Sequence, residues 1–256
     1  LHYAPEKGHA DVVKLLLGHE TIDVNAADKK GQTPLKMADN EEIDLMAESG
    51  CSYINIAIEA GSERVTRDIV LKPLDYEHAK KMVKYAKKKG IFVGANFIIG
   101  FPTETWDEIR QTIKVAETLE VDYAKIFIAL PLRNTELFDL AKETDSLLMD
   151  PTDAKTMWTV GGVIKSKHWS ADDLTILRAY EWDRINFSDP KKLKKTANRM
   201  GITVDELNVI RRRTMDYAKK TISDRKSAHP DSSVKKAADI TLVSSEKSSS
   251  SLEKKH

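Results

Sequence analysis

Three apolar runs in this 256-residue chain each end in polar or turn-forming residues, and chemistry would gather at those endings. The first run, Tyr53-Ile54-Asn55-Ile56-Ala57-Ile58, leads into Glu59, Gly61 and Ser62, with Lys72 further on. The second, Phe92 to Ile99, closes in Gly100-Phe101-Pro102-Thr103-Glu104-Thr105. The third, Tyr123 to Leu130, closes in Pro131-Leu132-Arg133-Asn134-Thr135. Each run is short, β-branched or aromatic and bounded by turn residues, which is the pattern of a strand. Helix-patterned stretches separate them. Tyr76 to Gly90 ends in a glycine suited to a helix C-cap. Thr105 to Leu119 sets Ile109, Thr112, Ile113, Ala116 and Leu119 on one face. Alternating strands and helices with near-continuous apolar strands predict a parallel sheet. Ligand chemistry in such sheets collects at the carboxyl ends of the strands. Glu59, Gly61, Ser62, the Gly100–Thr105 turn and Pro131–Thr135 therefore share one rim.

Other chemistries find little support. The seven histidines are scattered, with no spacing suited to a metal site, and there is no GxGxxG, P-loop or GxSxG. A single cysteine, Cys51, excludes an intrachain disulfide and fits a reducing, cytoplasmic compartment. Charges nearly cancel, at 41 basic against 40 acidic, so no net field argues for nucleic acid or an acidic membrane. The basic cluster of Lys191, Lys192, Lys194 and Lys195 with Arg211, Arg212 and Arg213 reads as helix faces turned to water. Thr105 with Glu108 fits a capping box, a structural use of those residues.

The flanks differ from this centre. Leu1-His2-Tyr3-Ala4, Lys7-Gly8-His9, the apolar Val12-Val13-Lys14-Leu15-Leu16-Leu17 and then Asp28, Gly31 and Thr33-Pro34-Leu35 resemble an ankyrin repeat and the opening of a second. Leu1 to Leu35 is close to one period of roughly 33 residues. Fewer than about three repeats do not bury each other's faces, so the segment reads as a helical hairpin packed on its neighbour or as a small partner-binding surface. Residues 149–222 are patterned as helices. From Ser223 the chain is rich in Ser, Lys and Asp and poor in large apolar residues, which predicts a disordered tail. No apolar stretch approaches the roughly 20 residues of a membrane helix. The start at Leu1 opens in mid-pattern and reads as a fragment or a fusion.

The central motifs together are similar to the C-terminal half of a radical S-adenosylmethionine (radical SAM) barrel, in its cobalamin-linked and methylthiotransferase-like branch. Ile58-Glu59-Ala60-Gly61-Ser62 followed by Lys72 resembles the fourth barrel strand and its exit. Gly100-Phe101-Pro102-Thr103-Glu104-Thr105 resembles the fifth, and Leu130-Pro131-Leu132-Arg133-Asn134-Thr135 the sixth, although Arg133 and Asn134 stand where small residues are usual. The resemblance implies an α/β fold: a partial (β/α) barrel over 42–148, preceded by the ankyrin-like hairpin of 1–40 and followed by C-terminal helices over 149–222 and the tail of 223–256. It also implies S-adenosylmethionine as cofactor, with Glu59 toward the ribose hydroxyls, Lys72 toward the carboxylate, and Gly61, Ser62, Gly100, Pro102, Leu130 and Pro131 lining the site. Two other readings stay open, Glu59 at a helix N-terminus and Lys72 as an exposed residue before Pro73.

The parent family cleaves S-adenosylmethionine reductively with a 4Fe–4S cluster held by three thiolates of a CxxxCxxC loop. That motif is absent from these 256 residues, and Cys51 reads as a packing residue. The chain is thus expected to be inactive alone, its open sheet edges or ankyrin-like end engaging another protein. The alternatives are a non-catalytic interaction module and an artefact of gene modelling.

Overall fold

The computed structural model describes residues 39–149 and 162–228. The ankyrin-like hairpin and the remainder of the Ser/Lys-rich tail lie outside the described residues.

Helix α1 (Asn40–Glu48) opens with a capping box in which Asp39 accepts from the Glu42 backbone and Glu42 bonds back to Asp39. Strand β1 (Tyr53–Glu59) leads through a π-helical turn, Val65–Ile69, to α2 (Tyr76–Lys88). β2 (Phe92–Ile99), α3 (Trp106–Thr118) and β3 (Tyr123–Ile128) follow. The strands lie in the order β1-β2-β3, all parallel, as the alternation of patterns predicted. Helix ends have local causes. After α2, Gly90 at φ 85° takes the left-handed conformation that the chain needs to leave the helix. At α3 the Thr105–Glu108 capping box is formed.

Side chains alternate across the sheet. Ile54, Ile56 and Ile58 of β1, Val93, Ala95, Phe97 and Ile99 of β2, and Ala124, Ile126 and Ile128 of β3 are buried. They form one apolar core with Val83 and Ala86 of α2 and Ile109 and Ala116 of α3. The same period of two puts Tyr53, Asn55, Ala57 and Glu59, then Gly94, Asn96 and Ile98, then Tyr123, Lys125 and Phe127 on the opposite face, which is mostly half-buried. Register aligns Ala57, Asn96 and Lys125 in one row across the three strands.

The C-terminal helices explain how a three-stranded sheet tolerates its edge. After α4 (Glu136–Glu143) come α5 (Ala171–Phe187), α6 (Pro190–Met200) and α7 (Val204–Ala228). Helix α5 is wedged between β3 and α7 and buries residues on all sides, as a helix in a core does. Its Asn186 carboxamide accepts from Ala124 N–H and donates to Ala124 C=O, both at 2.8 Å, while Arg178 Nε donates to Ile126 C=O at 3.0 Å. Side chains here replace a missing fourth strand, because outward backbone groups need partners. The β3 edge is therefore closed rather than open. α6 begins with Asp189 as N-cap and Pro190 in its first turn, and Gly201 at φ 68° ends it.

Two sequence expectations change in detail. The basic cluster does more than face water: Lys195 pairs with the buried Asp122 at 2.6 Å, Lys192 donates to Ile185 C=O at 2.9 Å and Arg211 pairs with Asp183 at 2.7 Å. Helix α7 also continues through Ala228, so Ser223–Ala228 is helical where composition suggested the tail begins. Arg225 reaches Asp173 of α5 and ties this last stretch down.

Candidate functional site

The carboxyl ends of the three strands form the rim that topology predicted. β1 leaves the sheet through an irregularity in its pairing between Ala57 and Glu59, and Glu59 itself sits at φ 66°. A non-glycine residue in the left-handed region is uncommon and marks a constrained exit. Lys72 returns to this exit after the π-helical turn, its N–H donating to Thr66 C=O at 2.7 Å, and its ammonium lies 3.6 Å from Glu59 Oε1. The two residues singled out for opposite ends of one ligand thus face each other at the rim. Glu59 heads no helix.

Gly61 and Ser62 serve differently. A Cβ on Gly61 would overlap the backbone of Gln111 and Thr112, so only glycine lets β1's exit lie against α3. Its N–H donates to Thr112 Oγ1 at 2.8 Å. Ser62, 3% exposed, donates to Glu108 at 3.2 Å and is turned away from the rim.

The turn after β2 is anchored from beneath. Glu104 is fully buried, and its Oε2 accepts from Gly100 N–H at 2.6 Å and Phe101 N–H at 2.9 Å. Its Oε1 has no hydrogen-bond partner, and burial pushes the carboxyl up to about 8. Trp169 donates to the Glu104 carbonyl at 2.8 Å and, with Leu174, roofs Gly100, where a Cβ would strike Leu174. Four residues on, Glu108 is held down at about 2 by the Arg64 guanidinium, whose Nε and Nη2 lie 2.6 and 2.8 Å from its oxygens. Pro102 and Pro131 are buried at this rim, and Leu130 is half-buried.

Sequence reasoning missed the polar side chains of the inward face. Asn96 Oδ1 is buried without a hydrogen-bond partner at mid-sheet, and Lys125 stands beside it in register. Tyr53 donates to Asn55 at 3.2 Å, and the bare Gly94 leaves room for both side chains. Trp182 of α5 donates to the Tyr123 hydroxyl at 3.0 Å. Polar residues at every second position of otherwise apolar strands were the available signal. Cys51 lies at the opposite, amino end of β1, half-buried, its thiol on Tyr53 C=O at 3.5 Å and raised in pKa by burial.

In comparison with known proteins, residues 21–116 match the family model of the Radical SAM superfamily and residues 1–38 that of ankyrin repeats. An uncharacterized methyltransferase of Pyrococcus horikoshii is 34% identical over 139 residues, covering 54% of this chain and 30% of that protein. The cytidylyl-2-hydroxyethylphosphonate methyltransferase of Streptomyces wedmorensis is 37% identical over 111 residues, covering 41% of this chain and 21% of that protein. Among solved structures, a radical S-adenosylmethionine methyltransferase from Kitasatospora setae, with cobalamin and a 4Fe–4S cluster bound, aligns at TM-score 0.38 and 16% identity, over 51% of this chain and 25% of that one. The chain thus spans no more than about a third of these proteins. Among the described residues, no helix is long and apolar enough to cross a membrane.

Proposed function

We propose, from the match of residues 21–116 to the Radical SAM superfamily, that this chain contributes the S-adenosylmethionine-binding wall of a radical SAM active site of the methyltransferase kind. The observation that carries the reading is the inward face of the sheet, with Glu59 and Lys72 paired at its rim and a buried, unpartnered Asn96 oxygen below them. An ionised carboxylate offers several acceptor sites to the two ribose hydroxyls. A flexible ammonium suits the carboxylate at the methionine end. In this reading the ligand inserts between Glu59 and Lys72, and the backbone around Gly100, Pro102, Leu130 and Pro131 lines it. Gly61 and Ser62 act by seating the β1 exit on α3.

The family's 4Fe–4S cluster does not fit the residues present. It requires thiolates, the chain has one cysteine, and Cys51 lies at the end of β1 remote from the rim. Among the described residues no three His, Cys, Asp or Glu side chains converge as a metal site. No step of the parent reaction, reductive cleavage of S-adenosylmethionine, is therefore assigned to these residues. The thiolates would come from outside them, and a partner held through the ankyrin-like segment is the second reading, supported by the match over residues 1–38.

Equilibrium dialysis of the full chain against radiolabelled S-adenosylmethionine tests the proposal. Saturable binding at one site per chain is expected, weakened about tenfold or more by Glu59→Ala, as for loss of a charged hydrogen-bond acceptor. An absence of saturable binding, or a Glu59→Ala variant that binds as the parent does, would overturn it.

A further inference from the structure

Outside the inward face of the sheet, a cleft of about 810 Å³ opens between the β2–α3 turn and the segment that precedes α5. Its volume lies within the range of small-molecule sites, roughly 300–1,000 Å³. Such sites are usually apolar, but each of the eleven residues lining this one is polar or charged. Four carry basic groups: Arg64, Lys165, Lys167 and His168. Two are acidic, and each is paired with a basic residue of the cleft, Glu108 with Arg64 at 2.6 Å and the exposed Asp145 with Lys165 at 3.2 Å. Lys167 and His168 remain as exposed basic groups that form no ion pair among the described residues. Hydroxyls complete the lining, Thr103 and Thr105 from the β2–α3 turn and Thr144, Ser146 and Ser166 from the later chain.

The basic loop is held in place before any ligand arrives. Lys165 N–H donates to Ser146 C=O at 2.8 Å, Ser166 N–H to Trp169 C=O at 3.0 Å, and His168 N–H to Ser166 Oγ at 3.1 Å. The Trp169 indole in turn binds the Glu104 carbonyl and fastens the loop to the β2–α3 turn. On the other side, Arg64 Nη2 donates to Thr103 C=O at 3.2 Å, fixing that wall. The loop backbone is thus ordered beforehand, and the cost left to binding is that of fixing the exposed Lys167 and His168 side chains.

We propose that this cleft binds the phosphate ester of a small sugar-like polyol, with Lys167 and His168 on the phosphate and the hydroxyls on the polyol. An ammonium forms charge-assisted hydrogen bonds to phosphate oxygens, stronger than neutral ones, and an imidazole N–H donates to the same oxygens. Thr105, Thr144 and Ser146 already donate within the protein, to Glu108, Leu140 and Thr144, whereas Thr103 and Ser166 accept from Arg64 and from His168 N–H and keep their own protons for a ligand hydroxyl. The cleft shares no lining residue with the Glu59–Lys72 pair and does not rest on the S-adenosylmethionine reading.

Calorimetric titration of the full chain at fixed ionic strength tests it, with ribose 5-phosphate, inorganic phosphate and ribose as probes. Ribose 5-phosphate is expected to bind saturably, inorganic phosphate more weakly and ribose not at all. The double substitution Lys167→Ala/His168→Ala, at two exposed positions, weakens ribose 5-phosphate about tenfold or more. Lys191→Ala/Lys194→Ala, at exposed positions on α6, leaves it unchanged, as does Glu59→Ala at the rim. The proposal is overturned if ribose 5-phosphate does not saturate, if inorganic phosphate binds as tightly, or if the Lys167/His168 variant binds like the parent chain.

Discussion

Strands β1 and β2 both leave the sheet past a glutamate, and the two exits use it in opposite ways. Glu59, at the end of β1, is held in the left-handed region beside the ammonium of Lys72, with 14% of its side chain exposed. Glu104, after β2, is wholly buried, spends one oxygen on two backbone amides and leaves the other without a partner. The first presents a charge at the mouth of a concave face. The second fastens a turn from below and is driven toward its neutral form. A carboxylate at a strand end is thus no sign of a binding site by itself; burial and partners decide its role.

The largest test of this contrast is alkaline stability. A carboxyl raised in the folded state to about 8 stabilises the fold fully below its unfolded value, and that contribution is lost as pH climbs through about 8. The parent chain should lose stability on the order of 4 kcal/mol between pH 5 and pH 9 from this residue. Glu104→Gln keeps an acceptor for the two amides but cannot ionise, so its urea midpoint should lack this loss over that range. Equal slopes for the two proteins would refute the buried-acid reading. Glu108 works in the other direction: depressed to about 2 by Arg64, it stabilises above its unfolded value and loses that contribution as pH falls toward 2.

Next in size is the β3 edge. Asn186→Ala would strand both backbone groups of Ala124 in a buried setting and should cost about 3 kcal/mol in urea unfolding. A cost below about 1 kcal/mol would mean that water replaces the side chain and that the edge is open after all. Trp169→Phe removes the indole bond to the Glu104 carbonyl and leaves a gap over Gly100, and about 2 kcal/mol is expected. Smallest is Glu59→Gln. Its partly solvated ion pair should contribute less than about 1 kcal/mol to folding, although dialysis should record weaker S-adenosylmethionine binding.

This ordering also marks what the sequence could disclose. All three strands, α2, α3 and the Thr105–Glu108 capping box follow from short-range signals: alternation, helical spacing and turn residues. The rim follows from topology. Long-range pairings were not legible. Nothing near Ala124 points to Asn186, which lies 62 residues away, and nothing in the Gly100–Thr105 turn foretells that Trp169 and Leu174 roof it. Asn96 and Lys125 were within reach, since period-two reading of β2 and β3 puts both on the face shared with Glu59. The capping box of α1 was likewise written in Asp39 and Glu42.

The central claim, that the inward face of the sheet receives S-adenosylmethionine while the helix-covered face is structural, is tested most directly by amide NMR of the full chain during titration with that ligand. The account predicts shifts at the Asn96 side-chain amide and at the backbone of Ala57, Glu59, Lys72 and Lys125, with Val83, Ala86 and Ile113 unmoved. Shifts confined to the α2 and α3 side of the sheet, or none at saturating ligand, would contradict it.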